Sequence, residues 1–414
     1  MTQTDTIAAH RIIRDAQGRL QPWTSWREAL ALEMRFYRTC PMDDHGYPRF
    51  ICETFLDAAW NPSSGRTDII PATQNGTGIL SYLKYYDLND KEDAWLLDTA
   101  MLMGDYLVTE SLTPGEGVYP RFTRSTGLRQ QFPLAADCGS QSDRPHEIEP
   151  DKGGIAGYAL ALLYKAAGAR DGERARRYLN QALQNARVLA ANQRPGDART
   201  SPWPFRVDYR NGEARGLVSG NMSFILRLYE TLIELDYSEF RTPRDLLWSW
   251  ISRYQLASAA SDGALFAQFF EDHDTPTNRS AWAPLNLARY LLESRNLAQP
   301  SWLEDAALLI DFTRKNFTHQ EFGTTVCHEQ DEDPQAWGGV NSTYGAVLAM
   351  YAAASGSSAV ADEAQRALNF TLYCIDVQGR PRDVHTNPSA GGWQEDAHTD
   401  VIHNYVDALR ATSS

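Results

Sequence analysis

Cysteine is scarce in this chain and never paired. Five cysteines (Cys40, Cys52, Cys138, Cys327 and Cys374) are scattered over 414 residues with no CxxC spacing, which argues against a disulfide framework or a zinc ribbon and predicts ordinary buried thiols. Long apolar runs are lacking as well, so no segment reads as membrane-spanning. The opening MTQTDTIAAHRIIRDAQGRL has no apolar centre of the kind a secretion signal needs, which predicts a cytoplasmic protein or one whose leader has been removed. Positive charge is in short supply: the formal net charge is -14 and no Lys/Arg-rich run occurs. That balance excludes non-specific nucleic-acid binding, yet it leaves room for a local cationic pocket that takes an acidic ligand. There is no HExxH, Walker loop, dinucleotide fingerprint or GxSxG elbow. His398 and His403 stand five apart, off the spacing that sets two metal ligands on one helix face. Neither a metal nor a nucleotide cofactor is expected.

What the chain does have is helical periodicity and aromatic side chains. Hydrophobic residues make up 43% and charged residues 22%, ordinary for a globular protein, while eleven tryptophans and nineteen tyrosines are many. Such richness suits stacking on sugar rings, although core packing accounts for most of it. Apolar residues at helical spacing recur in pairs of segments: NGTGILSYLKYYDL with EDAWLLDTAMLMGDYLVTE, then GGIAGYALALLYKAAG with GERARRYLNQALQNARVLAANQ, and SGNMSFILRLYETLIEL with RDLLWSWISRYQL. NRSAWAPLNLARYLLES with WLEDAALLIDFTRKNF and GVNSTYGAVLAMYAAAS with ADEAQRALNFTLYCI continue the series, and VIHNYVDALRA can pair with the first helix.

First members begin near Asn75, Gly153, Asn221, Asn278, Asn341 and Val401, at intervals of about 60 to 80 residues, too long for the common short solenoids. Short connections within pairs and long ones between them predict an all-α (α/α)6 toroid, one domain over residues 1–414, with a two-domain helical protein as the alternative. The long loops should gather where the inner helices start, a side rich in unsatisfied N–H groups and partial positive charge. Function is therefore expected on loops 109–151, 192–218, 256–277, 317–338 and 375–400.

Two of these loops carry the densest chemistry. In DRPHEIEPDKGG, His146, Glu147 and Glu149 form a candidate acid/base cluster, Asp151 being equally suited to capping the next helix. Arg121 and Arg144, with Arg124 and Arg129 nearby, are candidate carboxylate forks, though any single one reads better as an ordinary surface arginine. In SPWPFRVDYR an extended run puts Trp203, Phe205, Val207 and Tyr209 on one side and Arg206 and Asp208 on the other. One reading is a rim hairpin with a buried tryptophan. The other makes Trp203 a sugar platform, Arg206 a carboxylate anchor and Asp208 or Tyr209 a proton-transfer group. His146 and Tyr209 lie about one hairpin repeat apart, so neighbouring loops should bring HEIEP and SPWPFRVDYR together. His328 and His403 are further acid/base candidates. Asn75, Asn221, Trp337, Asn341 and Tyr344, at the starts of inner helices, are candidate sugar contacts or simple caps.

The hairpin array, with EIEPDKGG and SPWPFRVDYR in its loops, resembles the (α/α)-toroid carbohydrate-active enzymes, most of all the uronate-cleaving polysaccharide lyases of the glucuronan and alginate type. The resemblance spans nearly the whole chain. The short motifs of the toroidal unsaturated-glucuronyl hydrolases and the histidine pattern of the sugar 2-epimerases are not visible. The likeness implies an acidic carbohydrate substrate and β-elimination: an arginine with Asn or protonated Glu neutralises the uronate carboxylate, and a Tyr or His removes the acidified proton. A glycoside hydrolase using Glu147 or Glu149 with Asp208 is the alternative. A non-catalytic toroid that binds a partner protein is a second.

Overall fold

The computed structural model describes residues 6–7, 10–52, 55–56, 59–61, 70–125, 146–267, 277–295, 299–381 and 393–413. Arg144 and Arg129 fall outside these residues. The chain packs as two compact units, one of residues 67–287 and one that joins residues 1–66 to 288–414, the boundary falling inside the Trp282–Glu293 helix.

In the 67–287 unit, helices follow one another as hairpins. Pro71–Leu88 turns back as Ala94–Thr109, Pro150–Ala167 as Gly172–Ala191, and Ser223–Glu234 as Arg241–Trp250. The first members also pack side by side, 71–88 against 150–167 and 150–167 against 223–234. Glycines make that approach possible. A β-carbon on Gly76 would press on Ile155 and the backbone of Ala156, one on Gly154 on Ile225, and one on Gly157 on Leu228. Among the second members, the Gly172–Ala191 helix carries an exposed charged face. Glu173, Arg174, Arg176 and Arg177 stand on the Gly172–Ala191 helix, whose Asp171 caps it by accepting from the amides of Glu173 and Arg174.

In the other unit, Gly338–Ser355 pairs with Ser358–Leu372, and Glu395–Ser413 lies against both Gly338–Ser355 and Trp26–Tyr37. The N-terminal segment is strapped to the end of the Ser358–Leu372 helix. His10 Nε2 is 2.6 Å from the Ile375 carbonyl, Trp23 Nε1 donates to Leu372 O at 2.5 Å, and Tyr373 Oη donates to Gln21 O at 2.6 Å while accepting from the Ile13 amide. Ile7, Leu20, Val326, Phe370 and Tyr373 form one buried cluster beneath.

The helix starts deviate from the expected positions in both directions. Pro71 and Pro150 open their helices three or four residues ahead of Asn75 and Gly153, because proline at the first helical position gives up only an N–H that has no partner there anyway. Gly338 and Glu395 likewise precede Asn341 and Val401, whereas Ser223 and Trp282 follow Asn221 and Asn278. Short strands occupy the loops: Thr318–Glu321 pairs with Thr324–Cys327, and Glu147–Ile148, Arg206–Asp208 and Ala214–Arg215 form a three-stranded sheet.

Candidate functional site

The three-stranded sheet lies in the 67–287 unit and joins the two loops richest in ionisable groups. Its central strand is antiparallel to both neighbours, with Glu147 opposite Asp208, Ile148 opposite Val207 and Arg206 opposite Arg215. The turn back from Asp208 runs through Tyr209-Arg210-Asn211-Gly212, with Gly212 at φ 78° and its amide on Asp208 O. An Asn-Gly turn between extended runs is a hairpin signal in the sequence. It was the available clue to Arg215, which the reading of single loops passed over.

Glu147 and Asp208 of the sheet, and Glu149 just beyond it, each have their own arginine. Glu149 receives Arg206 Nε at 3.0 Å, both side chains being almost wholly buried. Glu147 takes a two-point contact from Arg215, Nε at 3.0 Å and Nη2 at 2.5 Å. Asp208 takes one from Arg210, at 3.0 and 2.6 Å, and that guanidinium holds the Asp208 carboxyl below its usual range. Tyr209 and His146 complete the group. The Tyr209 amide donates to His146 O at 2.9 Å, and the Tyr209 hydroxyl lies 3.1 Å from His146 Nδ1. Arg124 is buried with its guanidinium carbon 5.9 Å from the centre of the Tyr209 ring.

His146, Glu147, Glu149, Arg206, Asp208 and Tyr209 are thus brought together as the loop spacing implies, but several expected roles change. Trp203 is fully buried and donates its indole N–H to Leu189 O at 3.1 Å; it packs the core and has no face to offer a sugar. Arg206 is a buried partner of Glu149, with 1% of its surface exposed, and is no open carboxylate anchor. Asp151 does not cap its helix. Glu149 holds the cap position, its amide donating to Ser125 Oγ at 2.8 Å while its carboxylate turns to Arg206, and Asp151 sits buried in the first turn. Arg121 is exposed at φ 48° on a surface loop, its amide on Pro114 O.

Asn75 is buried, the fifth residue of its helix, and Asn221 accepts from Asn286 at 3.4 Å ahead of its own. In the other unit, Asn341 spends its amide on the backbone. It receives Cys327 N at 2.7 Å and donates to Cys327 O and Trp337 O, pinning a strand to a helix start. Tyr344 is fully buried and donates to Glu363, which Arg314 also binds. Trp337 donates to Asp333 at 2.8 Å. Asn75, Asn341 and Tyr344 are thus buried, whereas Asn221 and Trp337 stay partly exposed. His328 packs edge-on against Phe317, and burial lowers its pKa. His403 lies 3.7 Å from Asp407 beside the Arg289–Asn404 hydrogen bond. Among the described residues no group of three or more His, Cys, Asp or Glu could hold a metal ion, and no helix is long and apolar enough to cross a membrane.

No family model and no curated protein sequence matches the chain. Solved structures do. A D-mannose isomerase superposes with a TM-score of 0.64 at 11% identity, covering 93% of this chain and 97% of its own. The cellobiose 2-epimerase of Spirochaeta thermophila gives 0.62 at 13% identity over 94% and 98%. A family 76 glycoside hydrolase from a bovine Bacteroides thetaiotaomicron strain gives 0.61 at 13% identity over 94% and 78%. At such identities the likeness establishes the fold, an all-α (α/α)6 toroid.

Proposed function

We propose that this protein is a carbohydrate-active enzyme that moves a proton at a sugar carbon activated by a neighbouring carboxylate or carbonyl, with uronate β-elimination as the specific reaction. The observation that carries the reading is the His146–Tyr209 contact at 3.1 Å. Two groups able to donate and accept protons sit side by side at the paired ends of adjacent strands, which is what removal of a carbon-bound proton and protonation of a leaving oxygen require. The fold supports a sugar substrate, since the similar structures include a D-mannose isomerase, a cellobiose 2-epimerase and a glycoside hydrolase. Fold alone does not fix chemistry.

Hydrolysis by two carboxylates fits this sheet less well. A general acid of that kind needs a raised pKa, whereas Arg210 pushes Asp208 the opposite way and Glu147 and Glu149 each face an arginine. Tyr209 and His146 share the proton traffic in the proposed reaction. Arg124, beside the Tyr209 ring, supplies the positive charge that favours the enolate-like transition state, the part first assigned to Arg206. The chemistry asks for no metal or nucleotide.

The test is incubation with a panel of uronate polysaccharides and oligosaccharides, followed at the absorbance of the conjugated alkene. A rise that is lost in Tyr209→Phe supports elimination. Reducing ends without that rise mean hydrolysis, and isomerised or epimerised product with neither means proton transfer next to a carbonyl.

A further inference from the structure

We propose that the loop of residues 113–123 is the positioning device for Tyr209, with Gly117 and Thr113 as its positioning residues; this rests on the role given to Tyr209 above. The Tyr209 carbonyl accepts two backbone donors from that loop, Val118 N at 2.8 Å and Tyr119 N at 3.0 Å. Its own amide is held by His146 O. The peptide groups on both sides of Tyr209 are therefore fixed from outside the hairpin that carries it, and the phenol has few ways to drift from His146.

Gly117 makes the approach possible. It adopts φ 95°, and a β-carbon there would lie 2.6 Å from Tyr209 O and 3.0 Å from Arg210 Cα, backbone atoms that cannot swing aside. Only glycine satisfies both conditions at once.

Thr113 holds the loop closed from within. Its hydroxyl donates to Tyr119 O at 2.5 Å and accepts from Phe122 N at 2.8 Å, while its amide donates to Phe122 O. The loop is then nailed to the Gly172–Ala191 helix and the residue after it. Gln181 reaches Arg121 O, Gln184 reaches Pro120 O, Asn185 bonds Thr123, and Asn192 reaches Val118 O. The same segment goes on to Arg124 beside the Tyr209 ring and to Ser125, whose hydroxyl accepts from the Glu149 amide. One segment thus connects the Gly172–Ala191 helix to the ends of two of the three strands of the candidate site.

The experiment reads position and turnover separately. Wild type, Gly117→Ala, Thr113→Val and Thr113→Ser are compared by nitrogen NMR of the labelled His146 imidazole, assigned with His146→Gln, and by steady-state kinetics on whichever saccharide is turned over. Gly117→Ala and Thr113→Val should move the His146 signal in the direction that Tyr209→Phe moves it, and lower kcat at least about 10-fold with KM changed less than about 2-fold. Thr113→Ser, which keeps the hydroxyl, should restore both. Thr113→Val covers the case in which Gly117→Ala does not fold. The proposal is overturned if Tyr209→Phe shifts the imidazole signal while the loop variants leave it at the wild-type position. Should the loop variants shift it while Tyr209→Phe turns over normally, the positioning stands and the catalytic reading of Tyr209 fails.

Discussion

Arg206 is the residue whose meaning changes most between sequence and structure. Along SPWPFRVDYR it reads as a charge standing on the open side of a strand; folded, it is the buried partner of Glu149. Its replacement should therefore be felt first in stability. Arg206→Met strands a buried carboxylate and should cost about 3–5 kcal/mol, whereas the double variant with Glu149→Leu should recover most of that loss, because removing both charges of a buried pair is often close to neutral. Urea unfolding of the three proteins decides it. A single variant as stable as wild type would mean that water reaches Glu149.

Asp208 behaves differently because its arginine is more than half exposed. Arg210 depresses the folded-state pKa, so the contribution of the pair is fully present above about pH 4, the ordinary aspartate value, and fades as pH falls through the lower folded value. Asp208→Asn should lower stability at pH 7 by less than about 1 kcal/mol, and by less still once the pH has fallen through the folded-state value. In turnover it should matter less than Tyr209→Phe, which deletes the proton-transfer oxygen and should cost about 100-fold or more in kcat. The opposite order would favour the two-carboxylate hydrolase.

At the scale of elements, the hairpin rhythm was readable because long amphipathic segments separated by short polar turns constrain little else. The partners of the arginines were not. Arg215 meets Glu147 across a three-stranded sheet whose strands are two or three residues long, and periodicity is silent on pairings so brief. The adjacent glycines of EIEPDKGG, Gly153 and Gly154, have a packing reason. Gly153 faces the Phe122 ring, and Gly154 faces Ile225. Gly153→Ala should destabilise by roughly 1–3 kcal/mol through overpacking. Gly168→Ala, at a helix end with ordinary φ and only the Tyr164 carbonyl at 3.4 Å, should be close to neutral or slightly stabilising. Equal midpoints in thermal melts of the two variants would contradict this packing.

The N-terminal strap carries a pH dependence of its own. Burial lowers the pKa of His10, which stacks on Trp23 at 4.2 Å. A histidine depressed in the folded state contributes stability that is complete above about pH 6.5 and is lost as pH falls through the folded value. Hydrogen exchange at the Ile13 amide, corrected for its intrinsic rate, should accelerate between pH 7 and pH 5, and His10→Gln should flatten that response. An amide equally protected at both pH values in the wild type would remove His10 from the account.

For the whole molecule, we propose that the two compact units unfold as one domain, the expectation carried by the unbroken series of hairpins. A single calorimetric transition, with limited proteolysis releasing no stable 67–287 fragment, is the expected result; two transitions would make them separate domains. The strap gives this chain a particular history during synthesis. His10, Ile13 and Trp23 bind residues 372–375, so their partners leave the ribosome only after the whole 67–287 unit has been made. Trp23 and Leu372 stand 349 residues apart, so at about 5–20 residues per second the wait is roughly 17–70 s. Through that interval the first segment is an unsatisfied edge with apolar residues such as Ile7 and Leu20 uncovered, and it is there that a nascent-chain chaperone would find its substrate.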